Sequence, residues 1–339
     1  MASGTDWTHS AESLNAHSPR ALTYDLRPLS TGEILDRTFQ IYRSRFSLFA
    51  GLSAMPAAVG VITQAIRLWY DAHQSVHAHQ GADLYRVQIV SGGLTLLAGI
   101  LSLVLYGIVL AASTWSVSAL YLGASASLGE ALQRSRVHWF RYVAIVLRQI
   151  FSAFWLFLAL VCTGLVLQIM GRRSPDTLST MNAIAGLLYI LAFFSMIYCC
   201  WAYIRVSLAV PASVVESLRV GAALRRSRKL LADRKVRVFL VLLFLAVLYG
   251  VVGAIQTPLA IFALRSRGGQ AFLINAITLT LSFITSTLIG PVGAIALCLL
   301  YIDERVRREG FDIEWMMSRI APQAADTLPP SSQENIQPL

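Results

Sequence analysis

The chain has 339 residues, 56% of them hydrophobic and only 14% charged, with a formal net charge of +10. Soluble domains carry about a quarter charged residues, so a water-soluble globular fold is excluded: too little polar surface remains to cover the outside. The positive balance is almost wholly arginine, with Lys229 and Lys235 the two lysines. In so apolar a chain it marks cytoplasmic loops and not a nucleic-acid partner.

Residues 1–26 are polar and lack the apolar core of a cleavable signal peptide, and they read as a disordered cytoplasmic tail. The first predicted helix opens at Ser30-Thr-Gly-Glu33, a capping box in which the serine oxygen takes a backbone N–H and the glutamate reaches back. Leu35, Phe39, Tyr42 and Phe46 then fall at i, i+4, i+7 and i+11. Glu33, Asp36, Arg37, Gln40 and Arg43 fill the opposite side. That pattern predicts an amphipathic helix lying at the membrane surface.

Six charge-free runs follow, at 46–66, 87–129, 149–171, 177–204, 238–264 and 268–302. A spanning helix needs about 20 mostly apolar residues, and each run supplies them, so six transmembrane helices are expected. The runs at 87–129 and 268–302 are too long for one straight span and must tilt, kink or pass beyond the bilayer. Gln256-Thr-Pro258 and Gly290-Pro291 are candidate breaks in the fifth and sixth spans.

One phrase, G-x-x-L-x-R-[ST], occurs at Gly32–Thr38, Gly129–Ser135 and Gly221–Ser227, each time ahead of a long apolar stretch. Such recurrence argues for an internal repeat. Ser127-Leu-Gly-Glu130 restores the capping box in the second copy, while Arg219 and Ala222 stand at its places in the third. The expected architecture is an all-α membrane domain over 27–316, in three units (27–123, 124–216 and 217–316). Each unit is an amphipathic surface helix followed by a helical hairpin, and a second disordered cytoplasmic tail covers 317–339.

Twenty cations fall in the two end regions and in the loops at 122–142 and 212–237, against six in the alternate loops. Arginine and lysine accumulate on the cytoplasmic side of spans, so both termini and the repeat phrases are expected there. Arg37, Arg134 and Arg226, at the sixth place of the phrase, have two open readings: local pairing, or contact with anionic lipid phosphates. Arg148 and Arg205, bordering spans three and four, either snorkel to the interface or recognise an anionic headgroup.

Inside the spans, Asn275, Thr278, Ser282 and Thr285 form one stripe, read first as helix–helix packing and second as a cavity lining. No carboxylate lies within a charge-free run, which disfavours ion-coupled transport. His73, His77 and His79 lie in the first outer loop, where an ordinary hydrophilic loop is expected before a metal site. Cys162, Cys199, Cys200 and Cys298 sit in apolar runs without metal-ligand spacing. No phosphate-binding loop, dinucleotide fingerprint or nucleophile–base pair is visible, so no cofactor and no catalytic residue are expected.

The opening Arg27-Pro-Leu-Ser-Thr-Gly-Glu-Ile-Leu-Asp-Arg-Thr-Phe-Gln-Ile-Tyr-Arg-Ser-Arg45 resembles the start of a bacterial family, the glycerophosphoryl diester phosphodiesterase membrane domain. The stretch from Tyr301-Ile-Asp-Glu-Arg305 to Gly310-Phe-Asp-Ile-Glu314 is similar to that family's closing phrase. The resemblance implies a bacterial inner-membrane protein, and it covers the membrane domain alone, because a catalytic barrel needs about 250 further residues of α/β pattern. The function expected is a non-enzymatic membrane scaffold or lipid-associated accessory domain, the alternative being an uncoupled transporter or channel for a lipid or small solute. Expected partners are membrane lipids, anionic headgroups among them, and a separate membrane or cytoplasmic protein. An open, polar-lined cavity reaching mid-membrane favours transport; a closed core of small and apolar residues favours a scaffold.

Overall fold

A computed structural model describes residues 29–77, 81–121, 123–171, 178–232, 235–265 and 269–310. Among them every regular element is helical. In chain order these are α1 (Thr31–Ser44), α2 (Phe46–His77), α3 (Gly81–Tyr121), α4 (Leu128–Val137) and α5 (Trp139–Gly171). There follow α6 (Leu178–Val206), α7 (Ala209–Val215), α8 (Val220–Leu230), α9 (Lys235–Arg265) and α10 (Gly269–Glu309). Six stretches are long and apolar enough to cross a bilayer: Phe46–Tyr70, Ile89–Tyr121, Trp139–Gly171, Ser179–Val215, Lys235–Leu259 and Phe272–Glu309. This is the architecture of a multi-pass membrane protein. The expected tails at 1–26 and 317–339 lie outside the described residues.

The short helices begin as their sequence dictates. Ser30 Oγ accepts from the Glu33 amide at 3.3 Å, and the Glu33 carboxylate takes the Ser30 amide at 2.6 Å, so the first capping box is complete. In α4 only the Ser127 half is made, at 3.3 Å, because the Glu130 carboxylate turns to Arg134 instead. Arg219 caps α8 with no side-chain bond.

The side of α1 that packs into the protein is a different one from the apolar face expected to meet the acyl chains. Ile34, Thr38 and Ile41 face inward, whereas Phe39 and Phe46 are exposed. Ile34 and Ile41 straddle a threonine, and that polar residue masks the inner stripe in the sequence. Thr38 satisfies its hydroxyl on the Ile34 carbonyl at 2.7 Å and so packs as an apolar residue would.

Neither proline motif breaks its helix. α9 runs through Pro258 and α10 through Pro291, since neighbouring helices and hydroxyl side chains stabilise a spanning helix that lacks one backbone donor. At 41 residues, α10 is about 60 Å long, more than the 40–45 Å of a bilayer with its headgroups. The excess turns extend beyond the apolar run. This helix is also the centre of the molecule: half of its most apolar window is buried, against 28% or less for the other spans. It packs on α1, α2, α3, α7, α8 and α9.

The chain does break between α6 and α7, at Ser207 and Leu208. Helix ends leave unpaired backbone groups, and side chains from other helices satisfy them here. Gln149 Nε2 of α5 donates to the Val206 carbonyl at 2.6 Å. Ser227 of α8 donates to the Arg205 carbonyl at 3.0 Å and accepts the Leu208 amide at 3.2 Å.

The principal core lies at the end of the bundle where α1, α4 and α8 sit. Leu29, Ile34, Phe49, Leu208, Ile295 and Tyr301 are among its fully buried members. The opposite halves of α2, α3 and α10 bury few side chains. The bundle is tight at one end and loose at the other.

Candidate functional site

The tight end is closed by carboxylates that no pattern in the sequence marks as a site. Asp303 and Glu304 of α10 are almost fully buried. Asp303 Oδ1 accepts the Leu29 amide at 2.6 Å, and Oδ2 meets Arg237 at 2.7 Å and Arg307 at 2.9 Å. Both arginines also donate to the Leu29 carbonyl at 2.5 Å. The two end phrases of the chain therefore meet in space, Leu29 from the first and Asp303 and Arg307 from the second. Alongside, Glu216 receives Arg226 at 2.8 Å, Arg305 at 3.4 Å and the Tyr301 hydroxyl. Arg226 reaches Glu309 at 2.5 Å as well. The Glu309 bond raises the Arg226 pKa above its usual value; burial opposes this, and Glu216 adds to it. The signal for this clasp was the charged run Asp303-Glu-Arg305-Val-Arg307, which begins one residue after the last charge-free stretch ends.

The sequence candidates divide. Arg226 is locked between two carboxylates. Arg37 donates to the Tyr121 hydroxyl at 2.8 Å. Arg134 is largely exposed, pairs with Glu130 at 3.1 Å and lies 4.8 Å above the Trp115 ring. Arg205 lies 4.5 Å from the Trp201 ring. Arg148 is exposed and makes no hydrogen bond or ion pair among the described residues.

The polar stripe of α10 also divides. Thr285 accepts Gln256 Nε2 at 2.8 Å and so links α10 to α9. Asn275, Thr278 and Ser282, continued by Ser286, instead line a cavity of about 440 Å³. Ser53 and Gln64 of α2, Ser102, Tyr106 and Ser113 of α3, and Tyr249 of α9 add further polar groups. From Asn275 to Ala294 the lining follows α10 for roughly 28 Å at 1.5 Å per residue, most of the depth of a bilayer core. Among the described residues, no carboxylate, ammonium, guanidinium or imidazole borders the cavity.

Ser113 carries a particular signal. It is 1% exposed and its hydroxyl finds no hydrogen-bond partner among the described residues. A buried hydroxyl left alone costs about 1–3 kcal/mol, a local weakness beside the cavity, although the oxygen itself is closed off from the cavity's interior. Two smaller cavities, of about 350 and 190 Å³, adjoin the first and share Tyr106, Leu110 and Ala294 with it.

Of the histidines, His73 Nδ1 donates to the Trp69 carbonyl at 3.0 Å, and its ring lies tilted against the Trp69 ring. The His77 side chain and all of His79 lie outside the described residues, and among the described residues no group of three metal-ligating side chains occurs. Cys199 and Cys298 are buried, Cys162 and Cys200 exposed, all as free thiols. No family model, curated protein or solved structure matches the chain.

Proposed function

We propose that this is a non-enzymatic, multi-pass protein of a bacterial inner membrane that carries a neutral amphipathic molecule through its bundle without ion coupling. One observation supports this above the scaffold reading. The large cavity is lined by hydroxyls and amides interleaved with apolar side chains such as Val61, Leu68 and Leu110. A charged solute placed there would lose its hydration with no counter-charge to replace it. A molecule with a hydroxylated head and an apolar body meets no such penalty, and sites of this volume and mixed lining are typical of small ligands.

The test is native mass spectrometry of the full chain in mild detergent with three probes: monoolein, oleate and lysophosphatidylcholine. One monoolein should be retained and the two charged probes should not. Ser282→Trp, which fills the cavity, should lower monoolein retention at least tenfold while leaving the unfolding midpoint near that of the native chain. Equal retention of oleate, or full retention by the variant, would rule the carrier reading out in favour of a scaffold.

The three-unit organisation belongs to the same proposal. α1, α4 and α8 each stand before two long apolar helices. The third place of the phrase (Ile34, Ala131, Ala223) and the seventh (Thr38, Ser135, Ser227) are buried in all three copies. Equal burial at equal places supports a common packing mode. The resemblance to the phosphodiesterase membrane domain stays a proposal, carried by end phrases whose described contacts make a clasp and not a catalytic site. The twenty-to-six bias of cations supports a cytoplasmic location for the tight end.

A further inference from the structure

α6 ends and α9 begins side by side, and two cations converge there on one ring. The Arg205 guanidinium lies 4.5 Å and the Lys235 ammonium 5.9 Å from the centroid of Trp201. That bounds their separation at about 10 Å, within one Debye length at 0.1 M salt, so they repel one another. Both side chains are half-buried. Neither charged group meets a carboxylate among the described residues, although every other inward-facing cation of this end is paired or hydrogen-bonded there. Lys235 also heads a 31-residue helix, whose N-terminus adds partial positive charge. Across the α5–α6 hairpin, Gln149 bonds the Val206 carbonyl, next in sequence to Arg205, and the adjoining Arg148 is exposed on α5.

Directly beside this cationic rim the protein is hollow. The cavity of about 350 Å³ is walled by Cys200 and Tyr203 from α6 and by Phe239, Leu242, Leu243 and Ala246 from α9. Phe239 follows Lys235 by one helical turn, so charge and apolar space are contiguous along the same two helices. Two cations that meet no carboxylate among the described residues call for an anion, and a free anion gives no reason for an adjoining apolar cavity. An anionic lipid accounts for both features.

We propose that Arg205 and Lys235, oriented by Trp201, hold the phosphate of an anionic glycerophospholipid, and that one of its acyl chains occupies the cavity between α6 and α9. Arg148 supplies a third, peripheral charge. The acyl-chain part of the site adjoins the neutral-ligand cavity and shares Tyr106, Leu110, Tyr249, Gly290 and Ala294 with it, whereas Arg205 and Lys235 line neither cavity, so the phosphate site stands whether or not the larger cavity carries a solute.

The experiment uses the full chain in nanodiscs of phosphatidylcholine with phosphatidylglycerol, read by native mass spectrometry of retained lipid. Diacylglycerol with the same chains and inorganic phosphate serve as separate arms. Phosphatidylglycerol should be retained selectively, and neither diacylglycerol nor millimolar phosphate should displace it. The double variant R205Q/K235Q should lower retention at least tenfold with the unfolding midpoint unchanged, whereas Arg43→Gln, an exposed cation of α1, should not. Ala246→Phe, which fills the cavity and leaves the charges in place, should lower retention similarly. The charge-preserving R205K/K235R should keep most of it, which separates loss of charge from loss of fold. Native retention in both R205Q/K235Q and Ala246→Phe would overturn the proposal. Displacement by phosphate alone would also overturn it, leaving a simple anion site.

Discussion

Asp303 has both carboxylate oxygens engaged, one by the Leu29 amide and the other by Arg237 and Arg307, with the Leu29 carbonyl closing the ring on both arginines. Burying three charges is costly, and the cost is recovered only while every partner stays in place. Asp303→Asn preserves the shape and removes the charge, so it should destabilise by about 3–5 kcal/mol, the usual loss when one partner of a buried pair is taken away. Arg134→Gln is the natural comparison. Its partner Glu130 is an exposed neighbour one turn away, and such pairs contribute about 0.3–0.5 kcal/mol. Unfolding midpoints in a common detergent would measure both. An Asp303→Asn loss no larger than that of Arg134→Gln would mean the clasp does not hold the ends together. The residue escaped the sequence reading for a physical reason. Spans were marked by absence of charge, so any acid at a span end fell outside them by definition, and burial of a charged turn against α1 and α9 leaves no periodic trace.

At the scale of elements, close approach between helices depends on the absence of side chain at a few points. A Cβ at Gly107 of α3 would meet Val143 of α5 at its Cγ2 at 3.2 Å, its backbone N at 3.3 Å and its Cα at 3.4 Å. The backbone atoms cannot rotate aside, so Gly107→Leu should cost about 1–3 kcal/mol or more through overpacking. Because Gly107 adjoins Tyr106, which borders all three cavities, the variant should also disturb ligand retention. A thermal midpoint equal to that of the native chain would show that α3 and α5 are not pressed together there. The six spans were legible because the hydrocarbon core tolerates few charges, and that constraint writes itself directly into composition. The inner face of α1 was not, since Thr38 interrupts an otherwise apolar Ile34–Ile41 stripe. Pro258 and Pro291 misled for a related reason. A proline break is a rule of isolated helices, and in a packed bundle the neighbours hold the helix together. The α10 stripe was visible as a pattern, but whether a stripe of hydroxyls meets another helix or empty space depends on partners that no local spacing specifies.

For the whole molecule, the asymmetry of packing and the asymmetry of charge coincide. The end that holds the clasp, the helices α1, α4 and α8 and the Arg205–Lys235 rim is both the best packed and the richest in cations. Cations are retained on the cytoplasmic side during insertion, so position 134 should be cytoplasmic and position 77, at the far end of α2, should face outward. Single cysteines at these places, in a background with Cys162, Cys199, Cys200 and Cys298 replaced, make this measurable. An impermeant maleimide added to intact cells should modify the cysteine at 77 and spare the one at 134, with both modified after permeabilisation. The consequence reaches the two proposed sites. The large cavity runs from Ser53 and Gly290 in the packed half to Gln64, Leu68 and Asn275 in the loose half. In this orientation a neutral ligand exchanges toward the outer leaflet, while the anionic lipid is drawn from the inner one. Labelling of 134 alone in intact cells would invert the molecule, and the two sites would exchange leaflets with it.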